Sequence, residues 1–102
     1  MKREYRYPLS LEDELVVEME IERSEIVDFK VIYNTIVNGK EHQVVRYDCA
    51  HGYAHKDILY EKPKRKEMMA DIEYDDLLDI ARDDIERNWE QYKKKYLRLI
   101  NE

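Results

Sequence analysis

The first half of the chain alternates apolar and polar residues in a way that predicts paired β-strands. From Leu15 to Ile21 the odd-numbered residues are apolar, and glutamates occupy three positions of the opposite parity up to Glu22. The same period resumes from Val27 to Tyr33. Such alternation is typical of strands that bury one face. A three-residue connection between the two segments predicts these opposed pairs on the buried face: Ile21 with Val27, Met19 with Phe29, and Val17 with Val31.

A second hairpin is predicted by the dipeptide Asn38 and Gly39, because both residues tolerate the positive φ angles of a type I′ turn. The hairpin should run from about Ile26 to Asp48. Shorter patterns predict one strand from Ile58 to Tyr60 and another from Arg3 to Tyr7. The first two thirds of the chain are therefore expected to form an antiparallel sheet of four or five strands.

The period changes after a predicted turn or exposed connector from Glu61 to Lys66. From Leu77 to Ile100 apolar residues recur every three or four positions, which predicts an amphipathic helix from about Tyr74 to Leu99. We therefore expect a single α+β domain spanning residues 1–102. An antiparallel meander would carry one long C-terminal helix on the face of Phe29, with Trp89 in the interface.

Length and composition restrict the class of protein. The chain has 102 residues, of which 41% are charged, and a single cysteine, so we expect one folded domain without an internal disulfide. No apolar run reaches the length of a membrane span, and no apolar stretch follows the basic N-terminal residues as it would in a signal peptide. These features predict a soluble, cytoplasmic protein that does not bind membranes.

The distribution of charge narrows the kind of ligand. A formal net charge of −6 argues against broad binding of nucleic acid through a basic surface. Residues 12–28 and 67–90 are strongly acidic, whereas residues 40–66 carry seven basic and four acidic side chains. An anionic ligand is therefore expected to meet either the middle or the C-terminal end of the chain. The basic residues of the middle are Lys56, Lys62, Lys64, Arg65 and Lys66, and those near the C-terminus are Lys93, Lys94, Lys95 and Arg98.

The segment from Arg46 to Asp57 holds the densest group of chemically active side chains, RYDCAHGYAHKD. In a regular hairpin, Arg46 would pair with Val31 and Asp48 with Phe29, so both charges would project from the core face. Buried charges at that position would need partners or a function. A β-bulge at Val44 and Val45 would instead turn both side chains to solvent.

Three chemistries fit this segment, beside a purely structural role. Histidine and arginine can cleave RNA without a metal, with His51 or His55 as acid or base and Arg46 on the phosphate. Alternatively, four residues offer ligands for zinc or manganese: Asp48, His51, His55 and Asp57. Cys49 near His51 is a weak candidate for a nucleophile and its base. In the structural interpretation, Arg46 and Asp48 form an ion pair and the histidines bond a tight loop at Gly52.

The order of residues in this segment resembles the TumE-like toxins of prokaryotic toxin–antitoxin pairs and related small prokaryotic proteins. The resemblance lies in RYD, AHG and a second histidine, that is, Arg46 to Asp48, Ala50 to Gly52 and His55. It implies a growth-inhibiting toxin that acts on RNA and is restrained by an antitoxin with a helix-turn-helix. This chain is acidic where such toxins are usually arginine-rich, and Asp57 stands where another histidine would be expected.

Two functional hypotheses follow. In the first, the protein is a toxin that would act as a metal-independent ribonuclease without a cofactor, with four catalytic residues: Arg46, Asp48, His51 and His55. Tyr47, Tyr53 and Lys56 would then contact the substrate. In the second, the chain is a non-catalytic interaction module, and its histidine and aspartate cluster is structural or binds a metal. The sequence leaves the substrate, the reaction and the oligomeric state open.

Overall fold

A computed structural model describes residues 1–50 and 52–101 of the chain. Six strands form one antiparallel sheet in which each strand pairs with the next in sequence, and a single long helix follows. The elements are β1 (Lys2–Pro8), β2 (Asp13–Glu22), β3 (Glu25–Val37), β4 (Lys40–Ala50), β5 (Tyr53–Ile58), β6 (Arg65–Met68) and α1 (Tyr74–Ile100). The predicted α+β class and the long C-terminal helix are confirmed.

Both long hairpins close with two-residue turns of positive φ. Asn38 has a φ of 52° and Gly39 a φ of 79°, as the type I′ turn predicted at this position requires. Arg23 and Ser24 also have positive φ values, 50° and 65°. A three-residue connection was predicted near these residues from the alternation of the flanking segments. Positive φ is uncommon outside glycine and asparagine, so the residue types did not indicate that the turn has two residues.

The register between β2 and β3 agrees with the prediction in its central part. Met19 pairs with Phe29, and Val17 pairs with Val31. The predicted pairing of Ile21 with Val27 is wrong, because Ile21 pairs with Ile26 across a bulge. The two-residue turn shortens the expected connection by one residue, and Val27 becomes the extra residue of the bulge.

A second bulge decides which face carries the charged residues of β4. Asn34 pairs with Gln43, but Tyr33 pairs with Val45, so Val44 is the extra residue. From this point Arg46 lies opposite Ile32 and Asp48 opposite Lys30. The predicted pairing of these two residues with Val31 and Phe29 on the core face is therefore wrong. The alternative with a bulge at Val44 and Val45 describes the observed arrangement.

The sheet has six strands, so the predicted number of four or five is wrong. The additional strand, β6, begins within the connector that was expected from Glu61 to Lys66, and it extends beyond that connector to Met68. Its side chains are mostly exposed, so it lacks the apolar alternation on which the prediction relied. The strand expected at Ile58 to Tyr60 instead ends at Ile58 and begins at Tyr53.

The helix packs on the predicted face of the sheet. Phe29, Val31 and Tyr33 are 1% exposed or less and join the helix residues Leu77, Ala81 and Ile85 in one core. Trp89 packs edge-on against Tyr33, with ring centroids 6.1 Å apart. The opposite face of the sheet, which we call the open face, carries no helix in the part of the chain that the structure describes. No helix among those residues combines the length and apolar character needed to cross a membrane.

Candidate functional site

The open face carries a group of charged residues from the segment singled out by the sequence. Arg46 and Asp48 project there from β4, and His55 and Asp57 project from β5. Arg46 lies directly opposite Asp57, and Asp48 lies directly opposite His55. We refer to Arg46, Asp48, His55 and Asp57 as the open-face cluster.

Arg46 is the centre of the open-face cluster. Its Nη2 lies 2.7 Å from Asp57 Oδ2, and its Nε lies 3.2 Å from Asp48 Oδ2. Nη1 donates to Gln43 Oε1 at 3.3 Å. The ion pair between Arg46 and Asp48 that was proposed from the sequence is thus present. Asp57 supplies a second carboxylate to the same guanidinium.

Burial differs among the members of the cluster. The side chain of Asp57 is 7% exposed and that of Asp48 is 17% exposed, whereas Arg46 is 35% exposed. Within the described part of the chain, no hydrogen-bond partner reaches Asp48 Oδ1, which is buried. Lys66 from β6 places its Nζ 3.6 Å from the second oxygen of Asp57. The cluster therefore combines fixed carboxylates with a partly exposed guanidinium.

The remaining predicted catalytic and substrate-binding residues are divided among three locations. His51 lies outside the described residues. Tyr53 shares the parity of His55 on β5 and is 58% exposed, so it borders the open-face cluster. Tyr47 and Lys56 project from the opposite face toward the helix, so the structure does not bring them together with Arg46.

The alternative metal site can be compared with the structure in part. Among residues 1–50 and 52–101 no group of three or more histidine, cysteine, aspartate or glutamate side chains is placed to hold a metal ion. Asp48, His55 and Asp57 belong to that part of the chain, whereas His51 does not. The carboxylates of Asp48 and Asp57 are bound to Arg46 instead.

A second polar cluster lies between the sheet and the helix, around the carboxylate of Asp84. Tyr47 donates its hydroxyl to Asp84 Oδ2, and Tyr92 donates to Oδ1 at 2.6 Å. Asn88 donates to Oδ1 at 2.9 Å, and Lys56 Nζ lies 3.2 Å from Oδ2. We call Tyr47, Lys56, Asp84, Asn88 and Tyr92 the interface cluster.

The protonation states in the interface cluster follow from these contacts. Burial alone would raise the pKa of Asp84, but hydrogen bonds from Tyr47 and Tyr92, helped by Asn88 and the charge of Lys56, lower it. Burial and the neighbouring carboxylate raise the pKa of both tyrosines. Asp84 therefore stays charged and the tyrosines stay neutral donors, an arrangement that holds the helix on the sheet.

A groove of about 620 Å³ lies beside Arg46, where the start of β4 meets the connection between β5 and β6. Its lining includes His42, Arg46, Lys64, Lys66 and Tyr96. Lys64 and Lys66 belong to the basic surface predicted from the sequence. Lys56 was predicted to belong to the same surface, but it lies on the other face of the sheet, in the interface cluster.

Cys49 projects toward the helix side and is half-buried in the core. Burial raises the pKa of its thiol, although hydrogen bonds with Phe29 and Tyr74 act in the opposite direction. The neutral thiol is a poor nucleophile. These surroundings agree with a packing role for Cys49 rather than a catalytic one.

The sequence interpretation missed Asp84 and Tyr92 as polar partners of the chosen segment. Tyr92 was part of the apolar helix stripe, and Asp84 was one of many acidic residues on the helix. One signal was available: Asp84, Asn88 and Tyr92 are spaced four residues apart, so they lie on one face of a helix that also carries the core residue Ile85. Polar residues beside an apolar stripe are candidates for buried hydrogen bonds.

The fold and the two clusters define a class: a two-layer α+β protein with a helix on one sheet face and a charged open face. The chain belongs to a family described as a domain of unknown function, DUF7718, whose model matches residues 1–102. Searches of the curated proteins and of the solved structures found no match.

Proposed function

We propose that the protein is the toxin component of a prokaryotic toxin–antitoxin pair and that it acts on RNA through the open-face cluster. The observation that carries the proposal is the placement of Arg46, Asp48 and His55 side by side on one sheet face. Imidazole can transfer a proton at a ribose hydroxyl or a leaving oxygen. A guanidinium can stabilise the charge that develops on a phosphate. No metal is needed for this chemistry.

The contacts of Arg46 fit a role in binding phosphate. Two carboxylates hold the guanidinium in one orientation, so it loses little freedom when a ligand arrives. Its Nη1 contacts only the exposed amide of Gln43 at 3.3 Å among the described residues, so this donor can be exchanged for a phosphate oxygen.

The groove beside Arg46 gives the RNA strand a direction of approach. Lys64 and Lys66 line it and lie next to the cluster, which supplies local positive charge on an acidic protein. Binding through such a site releases counterions, so affinity should fall steeply as salt rises. An antitoxin with a helix-turn-helix would silence the protein most directly by covering this face.

Growth inhibition after induced expression tests the proposal. His55→Gln and Arg46→Lys should relieve inhibition, because each keeps the size of the side chain but removes the proton transfer or the forked donor. Arg87→Lys is the matched control: Arg87 contacts Asp83 at 2.9 Å on the exposed surface of the helix, outside the groove and the open-face cluster, and should leave inhibition unchanged. Thermal unfolding of each purified variant must first show a folded protein.

A second measurement addresses the reaction itself. The purified protein is incubated with total RNA in the presence of a metal chelator, and cleavage is compared between the wild-type chain and His55→Gln. Cleavage that requires His55 supports the proposal. Inhibition that survives both substitutions, or RNA that stays intact throughout, removes the open-face cluster as an active site.

A second candidate function is a non-catalytic interaction module, and one observation favours it. Asp48 and Asp57 together neutralise Arg46, which is the behaviour of a structural ion network. In that case the open face docks a protein, and expression does not impair growth. Co-purification with the product of a neighbouring gene, with protection of the β4 and β5 amides from hydrogen exchange, would favour this function if RNA cleavage is absent.

A further inference from the structure

The first strand of the sheet is an exposed edge. Among the residues that the structure describes, β1 pairs only with β2, and all seven of its own residues are exposed. The pairing is regular over its whole length, from Lys2 opposite Glu20 to Pro8 opposite Glu14, without a bulge. A long and regular edge strand offers unpaired backbone groups to another strand, and proteins usually block such edges.

The hydrogen bonds at both ends of β1 show which backbone groups remain open. Met1 exchanges two hydrogen bonds with Ile21, and Leu9 donates to the carbonyl of Asp13. In an antiparallel ladder every second residue bonds the same neighbour. The odd-numbered residues of β1 therefore bond β2, and the amides and carbonyls of Lys2, Glu4 and Arg6 point away from the sheet.

The sequence of β1 is complementary to itself in the antiparallel direction. If a two-fold axis relates two copies at Tyr5, Glu4 of each copy lies opposite Arg6 of the other copy. The contact therefore contains two such pairs. Both residues have outward backbone groups, so they form a hydrogen-bonded pair in which opposite charges also face each other. Pro8 has no amide hydrogen. It lies at the end of the ladder, opposite Lys2, where only its carbonyl is needed, as an acceptor for the amide of Lys2.

We infer that two copies of this chain associate through β1, forming a continuous twelve-stranded antiparallel sheet around a two-fold axis at Tyr5. The inference goes beyond the proposed function and does not depend on it. Aromatic side chains support the contact on the helix side: Tyr5 and Tyr7 are 38% and 36% exposed, and their rings stack at 6.4 Å. In the dimer Tyr5 meets its own copy and Arg3 lies opposite Tyr7.

The other edge of the sheet does not offer the same contact. β6 has four residues, whereas β1 has seven. A shorter edge strand offers fewer backbone groups to a second strand, so it pairs less readily. The two-fold contact at β1 also leaves the open-face cluster uncovered, because Arg46 and His55 lie on strands β4 and β5, separated from β1 by β2 and β3.

Charge reversal at the predicted pairs tests the inference by analytical ultracentrifugation of the full chain. Glu4→Arg places arginine opposite Arg6, and Arg6→Glu places glutamate opposite Glu4, so each variant should bind itself about tenfold more weakly or worse. The double variant with both substitutions restores opposite charges and should dimerise like the wild type. Arg87→Glu is the matched control, since it changes the net charge as Arg6→Glu does but lies on the exposed surface of the helix, away from β1.

Mixing the two single variants gives the sharpest result. A chain with arginine at both positions fully complements a chain with glutamate at both, so the mixture should form a heterodimer that neither variant forms alone. Thermal unfolding must first show that Arg6→Glu is folded, because Arg6 contacts Glu14 at 2.6 Å and Glu4 at 3.5 Å within the same chain. A wild-type chain that is monomeric up to about 1 mM, or a dimer that is unaffected by both single variants, would overturn the inference.

Discussion

The interface cluster makes a quantitative prediction for the substitution Asp84→Asn. The change keeps the size of the side chain but removes the negative charge that four neighbours share. Lys56 then has no carboxylate partner in this cluster, and the new amide hydrogens face the hydroxyl donors of Tyr47 and Tyr92. We therefore expect the helix to be held less tightly on the sheet.

The size of the effect follows from burial and from the kind of bond. Breaking a buried ion pair by removing one partner costs about 3–5 kcal/mol. Lys56 and Asp84 retain 16% and 19% side-chain exposure, so water screens part of the loss. We take the lower end of the range, about 3 kcal/mol of unfolding free energy. For a domain of this size that corresponds to a fall in Tm of about 12–24 °C.

Urea denaturation and calorimetry of purified variants measure this loss. Asp83→Asn is the matched control: its carboxylate is 59% exposed and contacts only Arg87 on the helix surface among the described residues. The control should stay within about 0.5 kcal/mol of the wild type. If Asp84→Asn destabilises no more than the control, the interface cluster does not hold the helix and the reasoning fails.

Three further predictions concern packing, acid stability and the thiol. Trp89→Ala should lower the free energy of unfolding by about 3 kcal/mol, because it removes the indole packed on Tyr33; an unchanged thermal midpoint would contradict this. The pKa values of Asp13 and Asp84 lie below the ordinary 3.8, so the folded state binds fewer protons than the unfolded state and stability falls as pH drops below about 3.8. Urea titrations from pH 5 to 2 should show this loss, and Asp84→Asn should reduce its slope; equal slopes would contradict the assignment. The Cys49 thiol should react with a thiol reagent more slowly in the folded protein than in urea at pH 7.5, since burial raises its pKa; equal rates would show that it is accessible and ionised.

Local sequence was sufficient for the elements whose signals are local. The turn at Asn38 and Gly39 was predicted because positive φ selects those residues wherever they occur. The helix was predicted from Tyr74 to Leu99 and observed from Tyr74 to Ile100, because an apolar stripe of period 3.6 needs a surface to bury it. The burial of Phe29 and Val31 beneath the helix followed from the same alternation and periodicity.

The number of strands was not determined by local pattern. β6 exists because Lys66 and its neighbours pair with β5, and an exposed edge strand has no buried face to impose alternation. The connection between β2 and β3 was predicted, but its length was not: the turn has two residues, Arg23 and Ser24, and neither is typical of positive φ. In both places the strand pairing, and not the residue type, decided the conformation.

The composition of the candidate site was determined by sequence, whereas its position was decided by tertiary structure. Arg46, Asp48 and His55 stood out as a dense group of reactive side chains, and the structure places them together. Which face of the sheet they occupy depended on one extra residue, Val44. Side chains alternate between the two faces of a strand, so a register shift of one residue moves every later side chain to the other face. That same shift turned Tyr47 toward Asp84, which lies 37 positions further along the chain. Only the packing of the helix on the sheet could bring these two residues together.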